Sequence, residues 1–188
     1  MKRSTKVARV EHTRRTPAPQ SGSDLTTADP PLEHRPASPV AGFTAAAAPR
    51  LGAAARSAVF LAGGIGITPF RSMLVHAAQQ KLPHRLFLFY SNRRPEDAPF
   101  LEELHALQQE NPRYTLIASM SEMATSHRPW TGETGLIDQA MLSRHLSGTV
   151  SPLYYIAGPP QMVKGLHAML TKQSVNERDI YAEEFSGY

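Results

Sequence analysis

The chain has 188 residues, a formal net charge of +4 and no Cys. Without thiols it can have no disulfide framework, thiolate metal site or cysteine nucleophile, and its length suits one or two domains. No apolar run approaches the roughly 18 residues that would span a bilayer, and no apolar core follows the basic start as in a secretory signal, so the expected compartment is the cytoplasm.

The positive charge is unevenly placed. Residues 1–56 hold nine Lys/Arg and four Asp/Glu, a net of +5, whereas residues 57–188 hold eleven and twelve, a net of −1. The basic segment has no aromatic interleaving and no reader motif, so nucleic acid is not an expected partner. It carries seven Pro, a single aromatic (Phe43) and the low-complexity runs Ala45–Ala48 and Ala53–Ala55. Such a composition buries too little apolar surface to offset its ordering entropy, so residues 1–56 are expected to be disordered. Their acid-poor start (Lys2, Arg3, Lys6, Arg9) fits either a transit peptide or a plain tail.

From Ser57 onward apolar runs alternate with segments of helical period. Ala58–Ala62 (AVFLA) predicts a buried strand, and Thr68–Gln80 a helix with Phe70, Met73, Leu74 and Ala77 on one face. Arg85–Tyr90 is the second strand, followed by a helix over Glu96–Gln109 with Phe100, Leu101, Leu104 and Leu107 on its core stripe. Tyr114–Met120 is the third strand and Ile137–Leu146 a short helix. Leu153–Ala157 is the fourth strand, followed by a helix over Gln161–Lys172 with Met162, Val163, Leu166, Met169 and Leu170 facing in. Ile180–Phe185 closes the series. Strands separated by helices imply parallel crossovers, and continuous apolar strands imply a sheet covered on both faces. The predicted domain, residues 57–188, is therefore an α/β fold with a doubly wound, five-stranded parallel sheet.

The most informative segment is Ala62–Phe70, AGGIGITPF, between the first strand and the first helix. Gly63, Gly64 and Gly66 permit a tight turn and close backbone approach. Thr68 suits an N-cap and Pro69 the first helical position. Free N–H groups and the positive end of the helix dipole then face the turn, where a pyrophosphate would be held. A tight turn of purely structural purpose explains the glycines as well. The pattern is not the common three-glycine fingerprint, because Pro69 stands where the third glycine would be.

The segment resembles the GGxGxTP loop of the pyridine-nucleotide domain in the ferredoxin–NADP reductase superfamily. Five further segments resemble that family in order: Tyr90–Arg93 (YSNR), Asp97–Leu104 (DAPFLEEL), Trp130–Ile137 (WTGETGLI), Ile156–Val163 (IAGPPQMV) and Glu184–Tyr188 (EFSGY). The resemblance implies hydride transfer from NADPH or NADH to FAD, and onward to a one-electron acceptor such as ferredoxin, flavodoxin, haem or an iron–sulfur protein. It places Gly63, Gly64, Ile65, Gly66, Thr68 and Pro69 at the pyrophosphate and nicotinamide ribose. Ala157, Gly158, Pro159, Pro160 and Met162 fall in a second turn at the nicotinamide, although Met162 also belongs to a helix's inward stripe. Many relatives have Cys where this chain has Ala157. At the C-terminus, Phe185 or Tyr188 would lie over the flavin and Glu184 would help arrange hydride transfer, with Thr68 close to the nicotinamide.

In an open doubly wound sheet the crevice lies where strand order reverses, here between the first and fourth strands, so both turns should face one dinucleotide. Ser91, Arg93 and Arg94 end the second strand. They suit the 2′-phosphate of NADPH through charge-assisted contacts, while nearby Asp97 keeps NADH open. Trp130 is read as packing under the nucleotide turn, with ring stacking the alternative, and Met73 and Met169 as core. No R-x-Y-[ST] motif, the family's flavin-barrel marker, occurs upstream of Gly63. The FAD-binding barrel is thus not evident, which fits a truncated product, a degenerate copy, one part of a split enzyme, or a nucleotide-binding module without catalysis.

Overall fold

A computed structural model describes residues 56–185. The expectations for residues 1–55 and for Tyr188 lie outside the described residues.

The strands are β1 (Ala58–Gly63), β2 (Leu86–Asn92), β3 (Tyr114–Met120), β4 (Glu133–Thr134), β5 (Leu153–Gly158) and β6 (Ile180–Glu184). The helices are α1 (Ile67–Gln79), α2 (Leu101–Glu110), α3 (Gln139–His145) and α4 (Pro160–Lys172). All strand pairs are parallel, in the order β4-β3-β2-β1-β5-β6. The sheet thus has six strands rather than the expected five. The added one, β4, is two residues long and pairs only with Ser119 and Met120 of β3. So short a strand leaves no alternating pattern for a sequence to display.

Alternate residues of each strand feed two cores. On one face Phe60, Leu88, Tyr90 and Tyr155 pack with Phe70 and Leu74 of α1 and Leu101, Leu104 and Leu107 of α2. On the other, Val59, Leu61, Phe87, Phe89 and Ile156 pack with Met141 and Leu142 of α3 and Val163, Leu166 and Leu170 of α4. The first core contains a row of rings, Phe70–Phe60–Tyr155–Tyr181, with centroid separations of 4.9, 5.3 and 5.1 Å. The row crosses three adjacent strands and ties α1 to the edge strand β6.

Arg56 clasps the opposite end of the sheet. Its guanidinium donates to Asp179 (2.9 Å) and to the carbonyl of Ser151 (2.8 Å), and its own carbonyl lies 3.3 Å from His84 Nδ1. The ordered domain therefore includes Arg56.

One helix starts later than its pattern suggests. The stretch expected to begin at Glu96 forms a 3-10 turn over Pro95–Asp97, and α2 begins only at Leu101. Pro99 disfavours helical backbone at the residue before it, and Ala98 is extended. Phe100 consequently sits outside the helix at φ 60° and is 42% exposed, not on the core stripe. Its ring lies under the Arg71 guanidinium, 4.8 Å from the centroid.

Phe60 is 1% exposed and at the centre of the ring row. Phe60→Ala should lower unfolding stability by about 3–5 kcal/mol, measured by urea denaturation monitored through Trp130 fluorescence.

Candidate functional site

The chain runs outward from β1 through β2 and β3 to β4, then returns to the other side of β1 as β5. The strand order reverses between β1 and β5, and their following turns meet there, as the sequence leads one to expect.

The contact is backbone against backbone. A Cβ on Gly66 would lie 2.2 Å from the Ala157 carbonyl oxygen and 2.8 Å from Gly158 N. A Cβ on Gly158 would lie 3.2 Å from Gly63 Cα, N and O. Gly63 faces Met162, whose sulfur would sit 2.2 Å from an added Cβ. Gly66 is therefore needed for the turn-on-turn contact, while Gly158 packs closely on Gly63 and Gly63 on the Met162 side chain. Gly64 differs, with φ 53° and open space where its side chain would be. Glycine is favoured there by the left-handed backbone conformation rather than by packing.

A 3-10 turn over Gly64–Gly66 runs directly into α1. This shifts the helix start upstream of the expected cap. The N-cap is Gly66, with no side-chain cap, so Thr68 and Pro69 are the second and third helical residues, not the cap and first. The Thr68 hydroxyl instead donates to the Ile65 carbonyl (2.9 Å). Pro69 is still tolerated, because the N–H it lacks belongs to the unpartnered first turn. Ile65 is 41% exposed and Thr68 is exposed, while Gly66 and Pro69 are buried.

On the β5 side Ala157 and Gly158 are buried, Pro159 is exposed, and Pro160 opens α4. Met162 is half-buried beneath Gly63 and against the second core. β6 pairs Glu184 with Gly158, and the Phe185 N–H donates to the Gly158 carbonyl (2.9 Å). Glu184, exposed, and Phe185, half-buried, thus stand beside the second turn.

On the other flank Ser91 pairs with Gly63. Arg94, expected to be available to a ligand, is already engaged: its Nε and Nη2 donate to the two Asp97 oxygens at 2.7 and 3.0 Å. Glu96 lies 3.8 Å away, and Asp97 above all holds the guanidinium above its usual pKa. Glu96 in turn accepts from the Ser126 hydroxyl (2.9 Å) and His127 N–H (3.2 Å), pinning the β3–β4 loop across this corner. Arg93 remains 76% exposed, with Glu122 3.7 Å off. Glu122 is not singled out by the sequence reading. Its place just past the carboxyl end of a predicted strand is the signal that could have found it, and a backbone bond from its N–H to the Arg93 carbonyl (2.8 Å) fixes it at this corner.

Trp130 packs at the β3–β4 edge and not, as expected, under the nucleotide turn: its indole N–H donates to the Glu133 carbonyl (2.7 Å), and its ring covers Gly132. The Glu133 carboxylate bridges His145 (2.7 Å) and Arg144 (2.8 Å) on α3, and these two hold it below the usual carboxylate range, His145 most strongly. Burial pushes the Tyr90 phenol, which donates to the Pro99 carbonyl, up to about 12. Two concavities, about 410 Å³ between α1 and α2 and about 630 Å³ along the outer edge of β3, contain no residue of either glycine turn. Among the described residues no cluster of His, Asp and Glu could hold a metal, and no helix is long and apolar enough to cross a membrane.

A nucleotide-binding domain of doubly wound form is thus defined by the sheet and its paired turns. The chain belongs to the oxidoreductase NAD-binding domain family, whose model matches residues 60–168. A component of the Na(+)-translocating NADH-quinone reductase from Methylococcus capsulatus is 30% identical over 133 residues, which cover 69% of this chain and 32% of that protein. The chain therefore spans about a third of the length of such curated relatives. The flavohemoglobin of Malassezia yamatoensis, solved with FAD and heme, superposes with a TM-score of 0.62 at 21% identity, over 73% of this chain and 34% of that one. A ferredoxin NADP+ reductase from Neisseria gonorrhoeae, solved with FAD and NADP, gives 0.56 at 22%, over 72% and 58%. These two likenesses establish the ferredoxin-reductase-type fold.

Two outcomes follow from this geometry. Gly64→Ala should cost only about 1–2 kcal/mol, the penalty of left-handed backbone, whereas Gly66→Ala must displace the β5 backbone and should cost clearly more, compared by thermal unfolding. Glu133 has a depressed pKa in the folded state, so its ion pairs stabilise above the unfolded value of about 4.3 and are lost as pH falls through the folded one. Glu133→Gln should be less stable than wild type at pH 7, with the gap closing near pH 3, measured by denaturation at each pH.

Proposed function

We propose that this chain is the pyridine-nucleotide half of a flavin-dependent reductase, and the observation that carries the reading is the meeting of the two glycine turns at the switch point. The residues fit a dinucleotide. The N–H groups that open the continuous 3-10 and α1 helix, with the positive end of its dipole, form an anion cradle, and the bare face of Gly64 leaves room for a diphosphate. Ala157, Gly158 and Pro159 border the nicotinamide end, and the exposed Thr68 would lie close to it. Ser91 and Arg93 lie toward the adenosine.

When bound, the nicotinamide supplies a hydride and FAD supplies its acceptor and a release of single electrons, so the protein's task is to bind, orient and exclude water. Phe185, held beside Gly158 by its backbone bond, is the side chain of this chain that would meet the flavin ring. Glu184 would stand next to it, and Tyr188 would follow. The fold likenesses to proteins solved with FAD, and the relative whose name specifies NADH, support this reading. FAD would come from a flavin-binding domain outside the described residues, and the electrons would pass to a ferredoxin, flavodoxin, haem or iron–sulfur acceptor.

Ile65→Asp tests the diphosphate position. The side chain is exposed, so the fold should persist, while a negative charge on the turn should weaken NAD(P)H binding about tenfold or more. Calorimetry on the full chain would read this, and unchanged affinity would place the diphosphate elsewhere.

A further inference from the structure

Gly63 has no side chain, and a neighbour fills the gap. Of the three atoms nearest the place its Cβ would occupy, two belong to Met162, the sulfur and the methyl carbon, and the third is Pro159 Cδ at 3.1 Å. The thioether is thus seated where a Gly63 side chain would have been, beside the proline of the second turn. Met162 rises from the first turn of α4 and packs on the second core as well. Gly63 is buried, and the residue after it opens the 3-10 turn whose N–H groups form the proposed anion cradle. The cradle therefore rests on a sulfur atom.

A methionine there is a chemical choice as well as a packing one. Its unbranched, polarizable chain fills an irregular gap, but its sulfur is open to oxidation by hydroperoxides. Met162 is half-buried, whereas Met120 and Met141 are 1% and 2% exposed and shielded by the core. Met73, Met123 and Met169 are also half-buried, but none is among the nearest neighbours of a turn glycine.

We infer that Met162 is a modification site, whose oxidation to the sulfoxide loosens the paired turns and weakens nucleotide binding. The inference rests on the proposed nucleotide-binding reading. A sulfur lone pair attacks one oxygen of hydrogen peroxide, and the S–O bond forms as the O–O bond breaks. The leaving hydroxide takes the proton of the transferred oxygen and departs as water. Sulfur is oxidised by two electrons and the peroxide is reduced by the same two. The product has an added oxygen and a polar S–O bond. Kept in place, that oxygen crowds Gly63 and Pro159 and sets a polar atom against apolar groups. Swung into solvent, the side chain leaves an unfilled hollow beneath Gly63. Either way the first turn loses its support on the second, and sulfoxide reduction restores it.

The test treats the full chain with hydrogen peroxide, locates the added oxygen by peptide mass spectrometry, and titrates NADH and NADPH calorimetrically before and after. Conversion at Met162 should weaken the tighter-binding coenzyme about tenfold and lower the melting temperature by about 3 °C or more. Methionine sulfoxide reductase should restore both. Met162→Leu keeps the volume without the sulfur. Whatever its own affinity, that value should not change on treatment, although Met73, Met123 and Met169 are converted. Met162→Gln, polar and of similar length, should match the oxidised chain with no treatment. The inference is overturned if Met162 stays unmodified while those three are converted, if its conversion leaves affinity unchanged, or if Met162→Leu loses affinity equally on treatment. Each of these leaves coenzyme binding by the untreated chain intact. An untreated chain that is folded by circular dichroism yet binds neither coenzyme would remove the nucleotide-binding reading and this inference together.

Discussion

The close approach of two turns, made by residues without side chains, is the constraint on which this molecule depends. Gly66 lies against the Ala157 carbonyl, and Gly158 packs on the Gly63 backbone. A methyl group at the Gly66 contact would push β5 away from β1, because the obstacle is backbone and cannot rotate aside. The meeting of the two turns at the switch point depends on that contact. A glycine pattern usually read as a ligand signature is here mostly a packing signature, and Gly64 is the position whose bare face is turned outward.

A second level of organisation is electrostatic. The corner at the ends of β2 and β3 is knitted by side chains that reach between loops: Arg94 to Asp97, and Glu96 to Ser126 and His127. Each bond is exposed and modest in energy. Together they tie the β2–α2 and β3–β4 loops to each other at this corner. The Glu133 bridge to Arg144 and His145 plays a comparable part on the far flank, holding the Trp130 turn to α3.

Much of the fold was legible in the sequence because the buried strands are strongly apolar. β3 falls on the predicted residues, and the other four long strands differ from prediction by no more than two residues at an end. Departures have local causes. Pro99 delays α2 and throws Phe100 outward, a restriction that an apolar stripe does not reveal. The 3-10 turn at Gly64–Gly66 moves the helix start and displaces Thr68 from the cap. β4 is held in place by two rungs to β3 and by Gly135 donating to the Met120 carbonyl, contacts remote in sequence from its own two residues.

The sequence by itself determined the layered α/β architecture and the glycine turn with its partner turn after the fourth predicted strand. These depend on hydrophobic period and on glycine and proline at fixed offsets, which are local properties of the chain. The tertiary structure decided which glycine serves packing, that Arg94 is occupied by Asp97, and that Glu122 lies beside Arg93. Those outcomes depend on distances between groups brought together only when β2, β3 and β5 take their places beside β1.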